Sequence, residues 1–172
     1  MKLRNPGVDI FIPDGVPIAA ALDRTTHLGI GAHQDDLEIM AFHGIAECYG
    51  RSDKWFTGVT CTNGAGSPRA GAYAGHPDET MQTVRRQEQR NAASVGRYSA
   101  MLQLGHPSNV VKDPRNSTLS DDLADILAAA LPEVVYTHNH ADKHDTHIAV
   151  TMAAIDAIRK MLEYQVFAAT WA

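Results

Sequence analysis

The feature that most restricts the fold of this chain is a regular alternation of apolar runs and helical patterns that begins at residue 26. The apolar runs predict buried strands at residues 27–32, 54–62, 100–105 and 133–138. Helical apolar stripes lie at residues 37–50, 80–96, 120–132 and 147–162. Alternation at these lengths is typical of a parallel sheet covered by helices, because parallel neighbours need a long crossover connection.

The predicted fold class is therefore α/β, a Rossmann-like three-layer sandwich with a mainly parallel sheet. With 172 residues, the whole chain, 1–172, is expected to form one domain. Residues 1–25 form an N-terminal extension, for which a strand, a helix and an arm packed on a neighbour stay open. We predict helix caps at Thr80 and Ser120, and a fifth strand over residues 164–172.

Charge and hydropathy exclude several classes of function. The formal net charge is -5 and no Lys/Arg cluster offsets it, so a nucleic-acid partner is not expected. No stretch approaches the roughly 20 apolar residues that a membrane span needs. The N-terminus has no apolar signal-peptide core. We therefore expect a cytoplasmic protein without a membrane span.

Polar clusters follow three of the predicted strands: HQDD at 33–36, a glycine-rich loop at 63–78 and HNHADKHDTH at 138–147. In open α/β sheets, ligands bind beyond the carboxyl ends of the strands. All three clusters are expected at that edge of the sheet. The active site is accordingly predicted there.

The first and third clusters contain residue types that bind catalytic zinc, which takes three protein ligands from His and carboxylate and keeps one position for water. His33 and Asp36 are three residues apart across the turn from strand to helix. His144 and His147 have the same spacing at a helix start, so one can ligate while the other is free for chemistry. Asp35 is placed to act as general base. The pattern indicates metal-assisted amide hydrolysis.

Simpler interpretations of the same residues stay open. Asp36 alone is explained as a helix N-cap. The stretch HNHADKH nearly matches a metallo-β-lactamase motif, but Lys143 interrupts it. The glycine-rich loop lacks the G-x-G-x-x-G spacing of a dinucleotide site. In that loop Arg69 is either a solvated surface charge or a ligand for a sugar or anionic group.

The motifs resemble those of the PIG-L/LmbE-like family of zinc-dependent N-acetylglucosamine de-N-acetylases. The family's A-H-P-D-D-x-E is matched by residues 32–38, with Gln34 in place of proline and a looser turn expected. Its T-x-G loop is matched by 62–64, and its R-x-x-E-x-x-x-A-A-x-x-G helix by 85–96. Its H-x-D-H resembles residues 144–147, where the aspartate, Asp145, stands one place early.

The resemblance implies a zinc-dependent hydrolase that acts on a small-molecule N-acetylated amino sugar or its conjugate. It implies zinc ligands at His33, Asp36 and His147, with Asp35 as general base and His144 as the acid that stabilises the oxyanion. Fe²⁺ also fits such a ligand set. Candidate substrate-binding side chains are Asn63 and Arg69.

Two other hypotheses are kept beside this one: a non-catalytic metal- or sugar-binding protein on the same fold, and a hydrolase of another small amide. Family members commonly continue past the end of this chain with strands that wall the pocket. We therefore expect a shortened chain, a compact variant or a pocket completed in a homo-oligomer.

Overall fold

The structure is a five-stranded sheet with helices on both faces. The computed structural model describes the backbone of residues 1–169 and the side chains of residues 1–162. The strands are β1 (Asp9–Phe11), β2 (His27–Gly31), β3 (Phe56–Thr62), β4 (Ala100–His106) and β5 (Val134–Thr137). The α-helices are α1 (Ile18–Asp23), α2 (Asp36–Met40), α3 (Phe42–Cys48), α4 (Asp78–Val95), α5 (Ser108–Val111), α6 (Thr118–Ala130) and α7 (Asp145–Ala169).

The sheet has the strand order β1-β4-β3-β2-β5. All neighbouring strands are parallel except β1, which runs antiparallel to β4 at one edge. The four parallel strands are those predicted from the apolar runs, and the sandwich fold is confirmed. Strand β1 and helix α1 both come from residues 1–25, so this segment supplies one strand and one helix.

Two hydrophobic cores, one on each face of the sheet, make the three layers. The larger core packs β2, β3 and β4 against α1, α6 and α7, and its fully buried side chains include Leu28, Ile30 and Leu102. The smaller core packs the other face against α2, α3 and α4, around Leu37 and Phe56. Residues alternate between the two faces along each strand, so the central strands are buried on both sides.

Two predicted helix caps are wrong. Helix α4 begins at Asp78 directly after Pro77, two residues before Thr80. Proline fixes φ, and two acidic residues in the first turn suit the positive end of the helix. Helix α6 begins at Thr118, and Ser120 lies inside it with its hydroxyl donating to a backbone carbonyl.

The predicted C-terminal strand is also wrong where the structure describes it. Helix α7 continues through Ala169, and residues 170–172 lie outside the described part. The aromatic and β-branched residues of this stretch favour a strand, but no Gly or Pro between Asp145 and Ala169 ends the helix. Extending an existing helix is easier than nucleating a new element. Among the described helices, none is both long and apolar enough to cross a lipid bilayer.

Candidate active site

The candidate site lies where β2 and β5 end. These strands are parallel neighbours, with Ile30 paired to Thr137. The turn after β2 (residues 33–36) and the segment after β5 (residues 138–147) therefore leave the sheet at the same edge. The expected meeting of these two remote stretches of chain is seen in the structure.

The turn after β2 is held by contacts within itself and with the sheet. Asp35 has a φ of 99°, in the left-handed region that aspartate tolerates better than most residues. The backbone N–H of His33 donates to Asp36 Oδ2 at 2.6 Å. The side chain of Gln34 is buried and donates from Nε2 to the carbonyl of Thr62 at 3.2 Å. This contact ties the turn to β3, and the looser turn expected from Gln34 in place of proline stays a prediction.

Glycine at position 31 lets the turn lie close to the strand. A Cβ at Gly31 would lie 3.1 Å from the Cβ of Asp36. That separation is shorter than ordinary van der Waals contact between carbon atoms. The absence of a side chain at Gly31 therefore allows Asp36 to sit against the end of β2.

Three possible metal ligands converge from the two segments. His33 Nδ1 lies 3.2 Å from His147 Nε2. The carboxylate of Asp36 lies 3.4 Å from His33 Nδ1 and 3.5 Å from His147 Nε2. Ligand atoms about 2.0–2.1 Å from a tetrahedral ion are separated by about 3.3 Å. Two imidazole nitrogens and one carboxylate at these separations fit a zinc site with three protein ligands.

The charge of Asp36 is strongly favoured by its surroundings. Burial acts to raise the pKa of its carboxyl. The imidazoles of His138 and His33, with the backbone N–H of His33, lower that pKa by more, so it lies well below its ordinary value. A carboxylate that stays ionised and partly buried is the form that binds a cation.

Asp35 lies beside this cluster in a cleft of about 360 Å³, lined also by His33 and His144. Its side chain is 63% exposed, and Arg85 donates from Nη2 to its Oδ2 at 2.7 Å. Burial lowers the pKa of Arg85, but the carboxylates of Asp35 and Glu88 raise it by more. The paired guanidinium holds the Asp35 carboxylate in the cleft.

His144 also faces the cleft and packs against the proposed ligands. Its ring stacks on His147 at 4.5 Å and meets His33 edge-on at 4.9 Å between centroids. The backbone N–H of Thr146 donates to its Nδ1 at 3.3 Å. Burial, followed by the charges of His147 and His33, lowers the pKa of His144.

Two residues without a role in the sequence interpretation complete the cluster. His138 is buried and stacks on His147 at 4.0 Å, and its Nε2 lies 2.8 Å from the backbone nitrogen of Ala32 and 3.2 Å from Asp36 Oδ2. Asp142 Oδ2 lies 3.0 Å from His147 Nδ1. His138, Asp142 and His147 form a second group with ligand-type atoms close together. The many His and Asp residues of the stretch 138–147 could have pointed to His138 and Asp142. Their number alone does not distinguish metal ligands from residues that support the ligands.

The predicted substrate-binding residues lie in the loop after β3, and their bonds are mostly within that loop. Arg69 donates to the carbonyls of His76 and Ala65 and pairs with Asp78. Asn63 accepts at Oδ1 from the N–H of Ala65 at 3.1 Å. The cleft is lined instead by small residues of this loop, such as Gly64 and Gly66, with Ser67. Substrate binding by Asn63 and Arg69 stays a prediction.

Comparison with known proteins identifies the family. A model of the PIG-L family, described as GlcNAc-PI de-N-acetylase, matches residues 28–158. The chain belongs to the PIG-L family. The matched range contains the converging residues His33, Asp36 and His147, and it leaves β1 and α1 outside the family match.

Solved structures show the same fold. The conserved protein TT1542 from Thermus thermophilus aligns with a TM-score of 0.62 and 20% identity, over 78% of this chain and 56% of that one. GalB, the 4-carboxy-2-hydroxymuconate hydratase from Pseudomonas putida KT2440, aligns with a TM-score of 0.58 and 21% identity, over 77% and 55%. The chain thus spans slightly more than half the length of each of these two proteins. Comparison with curated proteins gives no match.

Proposed function

We propose that this protein is a metal-dependent hydrolase that removes an N-acyl group, acetyl in the first instance, from an amino sugar or its conjugate. The observation that carries the proposal is the 3.2 Å approach of His33 Nδ1 to His147 Nε2, with the Asp36 carboxylate beside both. Membership of the PIG-L family, whose model is described as a de-N-acetylase, supports the same chemistry.

His33, Asp36 and His147 are the residues that would hold the ion, with Zn²⁺ as the first candidate and Fe²⁺ as the second. A zinc ion in such a site supplies Lewis acidity, which activates water near neutral pH and polarises a carbonyl group. The remaining steps belong to side chains of the protein.

Asp35 acts as the general base that accepts a proton from the attacking water. Its ion pair with Arg85 restricts the rotation of the carboxylate. As the carbonyl carbon becomes tetrahedral, negative charge grows on its oxygen, and His144 donates a hydrogen bond there. Asp35 then returns its proton to the leaving amine. The C–N bond breaks and leaves a carboxylic acid, which gives up its proton to water, and a free amine.

The test is acetate release from N-acetylglucosamine and its conjugates, measured for wild type and for Asp35→Asn. The asparagine variant keeps the size of the side chain and cannot accept the proton, so the rate should fall by about 10²- to 10⁴-fold with metal content unchanged. Equal rates in the two proteins would refute the role of Asp35.

A panel of other amides and esters separates the remaining hypotheses. Turnover of a non-sugar amide that depends on Asp35 would keep the metal hydrolase and change the substrate class. Metal binding without turnover of any compound would favour the non-catalytic binding protein. The one-domain boundary, the cytoplasmic location and the homo-oligomer stay predictions beside this proposal.

A further inference from the structure

Asp145, the aspartate of the H-x-D-H-like stretch at residues 144–147, does not contact the proposed ligand His147. Asp145 is 71% exposed and pairs with Lys112, whose Nζ lies 3.0 Å from its Oδ2. Its approach to an imidazole is 3.7 Å, to His144 Nδ1. The residue that the resemblance to the family singles out is therefore part of a surface ion pair.

Asp142 makes the contact that Asp145 does not. Its Oδ2 lies 3.0 Å from His147 Nδ1, and its Oδ1 accepts from the backbone N–H of His144 at 2.8 Å. One carboxylate thus holds the ring of His147 and the backbone of His144. Its side chain is 32% exposed, less than half the exposure of Asp145.

The chemistry of this contact fixes the tautomer of His147. An ionised carboxylate only accepts hydrogen bonds, so the proton of a neutral His147 ring lies on Nδ1. The lone pair of Nε2 is then free and directed toward His33 and Asp36, which lie 3.2 and 3.5 Å away. A carboxylate that orients a histidine in this way also makes its other nitrogen a better ligand.

The ring plane of His147 is fixed from its other sides. His138 stacks on it with an interplanar angle of 9°. The hydroxyl of the buried Thr151 contacts the backbone carbonyls of both His138 and His147 at 3.0 Å. Nε2 of His138 is already engaged, because it lies 2.8 Å from the backbone nitrogen of Ala32 and 3.2 Å from Asp36 Oδ2. The group His138, Asp142 and His147 is therefore better explained as the support of a ligand than as a second metal site.

We propose that Asp142, and not Asp145, is the positioning carboxylate of the candidate metal site, and that it keeps His147 in the tautomer whose Nε2 binds the ion. This inference rests on the proposed function, because it assigns His147 as a ligand. It adds that the carboxylate in contact with His147 is Asp142, three residues before Asp145 and four before the aspartate position of the H-x-D-H motif.

The first test needs no metal. Imidazole ¹⁵N chemical shifts of the metal-free protein report which nitrogen of His147 carries the proton. Wild type and Asp145→Asn should both show the proton on Nδ1. Asp142→Asn should lose that preference, because an amide can donate as well as accept. An unchanged tautomer in Asp142→Asn overturns the inference.

The second test is competition with a chelator for Zn²⁺, with the absorption spectrum of bound Co²⁺ as a check on ligand geometry. Asp142→Asn should bind Zn²⁺ about 10- to 100-fold more weakly. Asp142→Glu should recover part of this loss, and Asp145→Asn should match wild type. Thermal unfolding of the metal-free proteins shows whether each variant is folded, and Asp142→Ser replaces Asp142→Asn if that variant is not.

The His147→Ala variant distinguishes failure of the proposed metal site from failure of the proposed role of Asp142. If His147→Ala keeps wild-type metal affinity, the proposed metal site is wrong, and the inference with it. If His147→Ala loses the metal while Asp142→Asn and Asp145→Asn bind it equally, only the role of Asp142 is overturned. If His147→Ala loses the metal, and Asp142→Asn binds Zn²⁺ more weakly while Asp145→Asn matches wild type, the result supports both the metal site and the role of Asp142.

Discussion

The two segments that form the candidate site are built in different ways. The first segment, residues 33–36, is a tight turn between a buried strand and a helix, and the side chain of Asp36 is only 11% exposed. The second segment, residues 138–147, is mostly exposed, and hydrogen bonds between its own side chains and its own backbone determine its conformation. Asn139 accepts from the N–H of Ala141 at 2.9 Å, and Asp142 accepts from that of His144.

This difference determines how much of each segment's geometry can be predicted from residue spacing. In the first segment the sheet and helix dictate where side chains point, so residue spacing is enough to predict that His33 and Asp36 lie close together. In the second segment, short turns in which Asn and Asp bond to the backbone two residues on decide the geometry. Moving an aspartate by a few positions there changes which group it contacts.

The largest expected effect is loss of metal when either segment loses its ligand. His33→Ala and His147→Ala each remove one of three donors, so metal affinity should fall by more than the roughly 100-fold that a supporting residue contributes. Elemental analysis after dialysis measures the metal content. A variant that retains full occupancy would show that its segment does not supply a ligand.

A smaller effect is expected for His144→Ala, which belongs to the second segment without being a proposed ligand. The variant should retain its metal and lose about 10²- to 10³-fold in kcat, because a hydrogen-bond donor to the developing oxyanion is gone. Loss of metal instead would mean that His144 and His147 exchange roles.

Gly64 lies against the first segment, and a substitution there should change the free energy of unfolding. Gly64 has a φ of +73°, and a Cβ there would lie 2.8 Å from Gln34 Oε1 and 3.1 Å from the Cβ of Arg85. We expect Gly64→Ala to lower the free energy of unfolding by about 1–3 kcal/mol.

Gly66→Ala is the matched control for that substitution. No atom lies within 4 Å of a Cβ built at Gly66, so the change should be neutral or slightly stabilising. Denaturant titration compares the two variants. Equal stabilities would show that the space beside Gln34 adapts.

The smallest effect concerns acid titration of the metal-free protein. The backbone N–H of His144 and then the His147 side chain lower the pKa of Asp142 to about 2. A lowered folded-state pKa gives stability that is present above the unfolded value of about 3.9 and is lost as pH falls through the folded value. Carboxyl ¹³C shifts should show Asp142 titrating near pH 2. An ordinary midpoint for Asp142 would contradict its contacts.

Much of the fold could be predicted from the sequence because its signals are local and repeated. The runs at β2, β3, β4 and β5 are largely apolar, as buried parallel strands require. The antiparallel edge strand β1 was not predicted as such, since three residues carry little pattern. The end of α7 was missed because side-chain preference over residues 164–169 opposes the helix that precedes them.

The candidate site was predictable in part for the same reason. His33, Asp36 and His147 were identified by spacing and motif, and the structure brings them together. The contacts of Asp142 and His138 depend on how residues 138–145 fold back on themselves, which no periodic pattern encodes. Arg69 is held by backbone carbonyls of its own loop. The chemistry of its side chain alone could not predict these partners.

His33 and His147 are 114 positions apart in the chain, and this separation has a consequence for how the protein unfolds. An ion bound by both would act as a cross-link that closes a loop of most of the chain and joins α7 to the centre of the sheet. Such a cross-link favours the native state by restricting the unfolded one, and by mass action as free ion exceeds its dissociation constant. Because α7 shares the larger core with the sheet, removing the ion with a chelator should lower the melting temperature of the whole described domain, which thermal scans with and without the chelator would record.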